Sequence, residues 1–592
     1  MAPELTLLEY FARSAELSPD RPLFVYSGGR LTYGKAASAI ARGVEQLRAL
    51  GISRGSRVIC QAEDTIPLAL FMLTAAYAGV IPTAISPLFS SDYVAALARQ
   101  CDARAVFTTP SFAEQAASLR LPVLCHAGRG PGGIDEDDGL AQPVPSDARL
   151  FGTEASYPGA AATLRRLAAQ VQLSDPFLLQ PTAGSTGTPK LVLRTFRAFS
   201  RYARFVGDEV LKLDAADPLR VLAICSLTHA LAGHMFTMAM RLGAELAVPR
   251  RIDTRASIAE VRALDPDVLP MTPRVLAALF RQAELRETAP RIFGSRAKLV
   301  LSAGGKANAQ SFERLRAQRV EVLEIYGSSE ASVVAVTPLG AWRAECAGVP
   351  VADVELKLAP DGELLVRSPG LALGYHADPE ERELVGADGF YCTGDVGCLD
   401  QAGYLEILGR KRDVFSTPEG TNIYPDRIEI MLESLDRVEQ AVVLGDGKSF
   451  VTAHLVVRDP PPGSTSCIDC VIDAALYDHV GKALQALNQK LELVEQVVSF
   501  ALYRRPFPVA VYRPVAGAKI ARDRRAFATE FAAIADWLYS RDLPRESPML
   551  VPPKERCFLD RMPQRMRPPS AEPCALDTST TRQPQAGADS DS

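Results

Sequence analysis

Along residues 20–150 the apolar positions follow two periods in turn. "AASAIARGVEQLRAL" (36–50) and "DYVAALARQC" (92–101) repeat them every three to four residues, as a helix with one buried face does. "RVIC" and "AVFTT" are short runs rich in β-formers. Strands alternating with helices predict parallel sheets built from βαβ units. The same texture returns later: strand "VLAICSL", helix "IAEVRAL", strand "DVLPM", helix "PRVLAALFRQ", strand "AKLVLSAGG". From about 345 to 408 it gives way to short strands with Gly and Asp turns, "GELLVRS" and "CLDQAGYLEIL", which predict a small, mostly β unit. "GRKRDV" opens a last ordered segment running to about 540. The tail 541–592, rich in Pro, Ser, Thr and Arg without an apolar period, is expected to be disordered. No internal repeat is visible.

Two stretches imitate something else. "IPLALFMLTAAYAGVIPTAI" (66–85) is long enough for a membrane span, but Pro67, Gly79 and Pro82 interrupt it. It reads as a buried helix leading into a buried strand. "GRGPGG" (128–133) fits GxGxxG, yet an acidic, proline-broken segment follows where a dinucleotide fingerprint needs a helix, so it reads as a surface loop. The N-terminal "MAPELTLLEYFARSAEL" lacks basic and apolar signal regions and predicts an amphipathic helix, hence a cytoplasmic protein.

The 592 residues imply more than one domain, and 47% apolar with 23% charged residues is the balance of a globular protein. A net charge of −5 without a basic stripe argues against nucleic acid as partner. Eleven scattered cysteines make no disulfide framework, and the lone "CIDC" (467–470) lacks a second pair that would make it a zinc site.

The chemistry begins at "PTAGSTGTPK" (181–190), a loop between two strand-like runs, "FLLQ" and "LVLRTF". It lacks the Walker A spacing, but its glycines permit a backbone whose N–H groups converge on an anion. Ser185, Thr186 and Thr188 add hydroxyls and Lys190 a point charge suited to phosphate. The bland alternative is a surface turn. Four further stretches weigh against it: "EIYGSSEAS" (324–332), "FYCTGD" (390–395), "GRKRDVFSTPEGTNIYPDRIE" (409–429) and "GAKIARDRRAF" (517–527). Among them are an aromatic to stack on a base (Tyr326), an acid for ribose hydroxyls (Asp395) and a carboxylate for Mg²⁺ (Glu330), which commonly binds only one or two.

In this order and spacing the five blocks resemble those of the adenylate-forming superfamily, closest in type to acyl-CoA synthetases and fatty acyl-AMP ligases. The resemblance covers residues 20–535, and "TAGSTGTPK" differs from the family's TSG[ST]TGxPK only at Ala183. It implies an α/β protein: a large N-terminal domain (1–409) of two stacked α/β sheets and a small β-barrel, and a small mobile α+β C-terminal domain (410–540). It also implies the reaction, in which a carboxylate attacks the α-phosphate of ATP and the acyl group of acyl-AMP then passes to a pantetheine thiol, that of CoA or of a carrier protein. By the same resemblance Thr182, Gly184, Ser185, Thr186, Gly187 and Lys190 form the phosphate loop, Thr186 and Lys190 with catalytic roles. Gly304 and Gly305 pack against adenine, and Tyr326 stacks on it beside Gly327. Ser329 stands near the α-phosphate, Glu330 binds Mg²⁺, and Asp395 and Arg410 hold the ribose. Lys519 bridges carboxylate and phosphate, His229 gates the acid pocket, and Arg412 is the hinge. Ala230 stands where amino-acid-activating members carry an aspartate, so the expected acid has no α-amino group and more readily an alkyl than a compact aryl body.

Three departures stand out: one extra residue before Gly420, Arg427 where glutamate is usual, and Ala518 before the lysine. The first two bear on the thioester half-reaction. The rival readings are a stand-alone enzyme that loads a carrier protein or stops at acyl-AMP, and a non-catalytic relative that binds nucleotide or acyl ligand.

Overall fold

The computed structural model describes residues 4–539 except 63–64, 86–88, 127–147, 151–156, 183–189, 215–217, 253–254, 284–287, 307–308, 377–383, 459–464, 468–469, 509–510 and 516–518. The expected surface loop at 128–133 and the expected disordered tail 541–592 lie outside the described residues. The first helix, Leu7–Leu17, opens on a capping box, Thr6 and Glu9 satisfying each other's backbone N–H groups.

Two sheets carry the N-terminal part. A nine-stranded sheet has a parallel centre, in the order Glu321–Ser328, Leu299–Ala303, Val268–Met271, Arg220–Leu222, Glu245–Ala247 and Pro22–Tyr26, with antiparallel strands at both edges. A five-stranded, all-parallel sheet holds Ile81–Ile85, Arg57–Gln61, Ala105–Thr108, Val123–His126 and Ala148–Leu150. The membrane-like stretch is the helix Thr65–Ala78, buried all round except at Pro67, followed by the strand Ile81–Ile85. An apolar helix with no polar face belongs in the core of a large protein as readily as in lipid, and no described helix is long and apolar enough to cross a membrane.

The α/β class and the alternation of elements hold, and "PRVLAALFRQ" is the helix Pro273–Gln282 to the residue. One strand is shorter than its pattern suggests. "VLAICSL" pairs only over Arg220–Leu222, because the chain must turn at Ser226–His229 to start the next helix, Ala230–Leu242. Ser226 Oγ lies 3.0 Å from Thr228 Oγ1, and His229 N donates to the Ser226 carbonyl at 3.0 Å.

The β unit is a four-stranded antiparallel sheet, Glu355–Leu358, Glu363–Arg367, Tyr391–Leu399 and Leu405–Arg410. Gly374–Tyr375 joins the hairpin Pro176–Thr182/Lys190–Thr195 as a three-stranded sheet. Beyond Arg410 a five-stranded sheet packs against the helices Pro425–Glu433 and Ala474–Asn488. Both hydrophobic clusters of this part draw on residues from Phe415 onwards and share none with the N-terminal clusters.

Candidate active site

The strand Glu321–Ser328 turns sharply into Ser332–Val336, and the ladder slips by a residue at Tyr326/Gly327. Only glycine fits at 327: a Cβ there would stand 1.9 Å from the Ser332 carbonyl oxygen. The tight turn presents Ser328, Ser329 and Glu330 at a partly exposed rim.

Asp395 comes from the strand Tyr391–Leu399 and Arg410 from Leu405–Arg410, where the two are register partners. Arg410 Nε reaches Asp395 Oδ1 at 2.9 Å, and Tyr326 Oη donates to Asp395 Oδ2 at 2.6 Å. Asp395 is buried, 5% exposed. Burial alone would lower the Arg410 pKa, yet the carboxylate of Asp395, with Tyr326 and Glu330 nearby, holds it above its ordinary value. Burial first, then Asp395, pushes the Tyr326 phenol up, so Tyr326 stays a neutral donor. Each Asp395 oxygen keeps a second lone pair, enough to accept one ribose hydroxyl apiece.

Glu330 lies in a second cluster. Tyr375 Oη is 3.4 Å from Glu330 Oε1, and Lys190 Nζ sits 4.9 Å from the centre of the Tyr375 ring. Lys190 and Thr182 are register partners at the mouth of a hairpin, and Thr182 Oγ1 donates to the Lys190 carbonyl at 3.3 Å. Gly184, Ser185, Thr186 and Gly187 lie outside the described residues. Among the described residues no three carboxylate, imidazole or thiol groups gather as a metal cage. The single carboxylate of Glu330 suits Mg²⁺, which keeps waters and takes oxygens from phosphates.

Gly304 adopts a left-handed φ of 91°, and a Cβ on Gly305 would meet nothing within 4 Å, which leaves the loop open to a flat ligand. His229 is the N-cap residue of the helix Ala230–Leu242. Lys519 opens the strand Lys519–Arg522, opposite Val515 in a hairpin that leads into the helix Arg524–Glu530. Ala518 lies outside the described residues. The other two departures have local explanations. Gly420, with a φ of 86°, turns the hairpin between Phe415–Ser416 and Asn422–Ile423. Arg427 pairs with the buried Glu495 at 3.4 Å.

The expected hinge position, Arg412, has an ion-paired neighbour on each side. Lys411 Nζ bonds Asp361 at 2.6 Å and Glu363 at 2.7 Å, in the N-terminal β unit. Asp413 faces Arg524 at 3.6 Å, in the C-terminal part. Arg412 stands between them, its side chain mostly exposed.

Several residues escaped the sequence reading. Tyr375 lay in an unremarked "LGYH". Glu324, two residues before Tyr326, has its carboxyl pushed up to about 7 by burial, against the pull of Trp342 Nε1, which donates to it at 2.8 Å. Lys306, just after the glycine pair, bonds Glu345 at 2.6 Å. Arg194 is fully buried. It sits in "LVLRTF", a strand whose apolar context should have raised the question of where its charge goes.

A family model described as AMP-binding enzyme matches residues 11–376. The chain belongs to the AMP-binding enzyme family. The resemblance drawn from the sequence holds, and with it the reading of an ATP-dependent, acid-activating ligase. The chain is 24% identical to a long-chain-fatty-acid–CoA ligase of Mycobacterium bovis over 86% of its length and 92% of the relative's. It is 26% identical to an anthranilate–CoA ligase of Pseudomonas aeruginosa over 90% and 97%. Its fold is that of the anthranilate CoA ligase AuaEII in complex with anthranoyl-AMP, with a TM-score of 0.72 at 19% identity over 90% of this chain and 99% of that one.

Proposed function

We propose that this protein joins a carboxylic acid without an α-amino group to the thiol of CoA through an acyl-AMP intermediate. The observation that carries the reading is the convergence of Tyr326, Asp395 and Arg410 beside the Glu330–Tyr375–Lys190 cluster. In the first step a carboxylate oxygen bonds the α-phosphorus of ATP and the bond to pyrophosphate breaks. In the second a thiolate sulfur bonds the acyl carbon and AMP leaves.

Asp395 accepts from the ribose hydroxyls, and Arg410 and Tyr326 fix its carboxylate. Tyr326 and the Gly304–Gly305 turn enclose the base. Lys190 and the loop 183–189 hold the outer phosphates. Glu330 would hold Mg²⁺, which when bound would supply positive charge to offset that of the phosphates. Lys519 bridges the carboxylate and the α-phosphate. The part beyond Arg412 turns about that residue between the steps, and the protein works in the cytoplasm. Two anchors around one exposed residue, and hydrophobic cores that share no residue, support a division at Arg412, close to the expected 409/410 boundary.

Ala230, Leu231 and Ala232 at the head of the helix carry no acid to pair with an ammonium, and a buried unpaired ammonium would be strongly unfavourable. The test is ATP–pyrophosphate exchange with acids and their 2-amino analogues, followed by CoA and a mass measurement of acyl-CoA. Acid-dependent exchange and an acyl-CoA product are expected. A preference for the amino analogues would refute the argument from Ala230. Acyl-AMP that ignores CoA but loads a carrier protein would move the second step to that acceptor.

A further inference from the structure

Arg194 is a buried cation that makes no ion pair among the described residues. It is fully buried on the strand Lys190–Thr195, and among the described residues no carboxylate lies within ion-pair distance of it. Its polar partners are neutral: Nη1 donates to Gln180 Oε1 at 3.0 Å, and Nη2 stands 2.7 Å from His234 Nε2. The ring of Phe199 lies under the guanidinium at 4.4 Å. Burial pulls the Arg194 pKa down to about 9, and Glu330 is the charge that acts against this. Isolated charge at such depth is strongly unfavourable unless something uses it.

The arginine fixes its neighbour's tautomer. A guanidinium has no acceptor, so its Nη2–H donates and His234 Nε2 must accept. The imidazole is neutral, its pKa held well below the ordinary value by burial and by Arg194 and Arg201. Its proton is therefore on Nδ1, and this N–H is buried and has no partner among the described residues. His234 is stacked on Tyr202 at 4.4 Å and tilted against Phe199 at 4.5 Å, so the ring cannot swing to find one. An orphaned buried donor is destabilising until an acceptor arrives.

The helix Ala230–Leu242 shows where that acceptor comes from. His234 is four residues after Ala230, hence on the same helix face and about 6 Å further along the axis. Ala230 is the residue placed beside the acid above, so this step rests on that reading. We propose that Arg194 and His234 form the end wall of the acid pocket and select an acid with a second, distal carboxylate. The distal oxygen accepts from His234 Nδ1–H, and the guanidinium behind supplies the counter-charge. The apolar side chains of Ala230 and Leu231, on the same side of the helix as His234, line the methylenes between the two carboxyl groups. A plain alkyl tail would leave both the donor and the cation unsatisfied.

The test compares diacids from succinate to suberate with monoacids of equal length, by kcat/KM in ATP–pyrophosphate exchange, in the wild type, Arg194→Met and His234→Phe. The wild type should prefer a diacid by about tenfold or more, and either variant should cut that diacid-to-monoacid ratio by about ten- to a hundredfold. Arg194→Lys, which keeps the charge, should restore part of it. Should the variants fail to fold, the wild-type series decides alone. Equal rates, or a preference for monoacids, would overturn the distal-carboxylate assignment and leave acid activation standing. No exchange with any acid would overturn acid activation and this inference with it.

Discussion

Tyr326 donates its hydroxyl to Asp395 Oδ2 at 2.6 Å while Arg410 holds the other oxygen. The three residues come from separate strands, one in the large sheet and two in the small β unit, so the proposed nucleotide pocket is assembled where two sheets meet. A tyrosine fixed at its hydroxyl presents its ring in one orientation, which is what a stacking platform for a base requires. Asp395→Ala should raise the KM for ATP by about ten- to a hundredfold, because hydrogen bonds to a charged acceptor are worth about 1.5–3 kcal/mol each. Tyr326→Phe keeps the ring and loses only the tether, so its KM should rise less. Steady-state pyrophosphate release at varied ATP checks both, and a larger effect in Tyr326→Phe would mean that the ribose does not bind at Asp395.

Glu330 faces Tyr375 and feels two arginines, Arg194 and Arg410. If its carboxylate holds Mg²⁺, Glu330→Gln should lower turnover and raise the Mg²⁺ concentration needed for half-maximal rate, with the KM for the acid little changed. The measurement is pyrophosphate release across a Mg²⁺ titration. Wild-type rates at limiting Mg²⁺ would remove Glu330 from the metal site.

How far the sequence reached is clearest by comparing residues. The alternation of helix and strand was readable because each element shows one apolar face to a core, and periodicity reports that face. Asp395 and Arg410 were found by their motifs, but their pairing was not, since it depends on the register of two strands fifteen residues apart. Tyr375 was invisible because nothing local distinguishes it; it matters only because a two-residue strand lays it against Lys190. Arg194 and His234 lie forty residues apart and meet only in three dimensions. Apolar patterning records that a strand is buried, and is silent about the one charged residue it carries inside.

The ion pairs of Lys411 and Asp413 suit the mechanical role proposed for Arg412. A hinge needs one residue free to change φ and ψ between two fixed neighbours. Arg412→Pro locks φ near −65°, so it should slow transfer to the thiol more than acyl-AMP formation. Lys519→Ala should do the reverse, abolishing acyl-AMP formation while sparing transfer from supplied acyl-AMP. Single-turnover assays of each half-reaction separate the two. Equal loss of both half-reactions in both variants would sink the two-conformation reading.

The C-terminal part carries its own pH dependence. His454 is fully buried on the strand Val451–Val457, its Nδ1 2.7 Å from Tyr503 Oη, and burial pulls its pKa down to about 3. In the unfolded chain the same group titrates near 6.5. Between those values the unfolded state binds a proton that the folded state does not, so stability rises with pH across this window and falls on acidification. The full contribution is present above about 6.5 and is lost at about 1.4 kcal/mol per pH unit below it. The buried carboxyl of Glu429, pushed up to about 7 chiefly by burial, acts in the opposite sense, losing stability as pH rises from about 4.5. A difference measurement therefore isolates the histidine. Denaturant unfolding of the full chain and of His454→Gln should show the wild type losing roughly 2 kcal/mol more than the variant between pH 7 and pH 5. Parallel curves for the two proteins would mean that His454 takes up its proton in the folded state, with Tyr503 turning to accept from it.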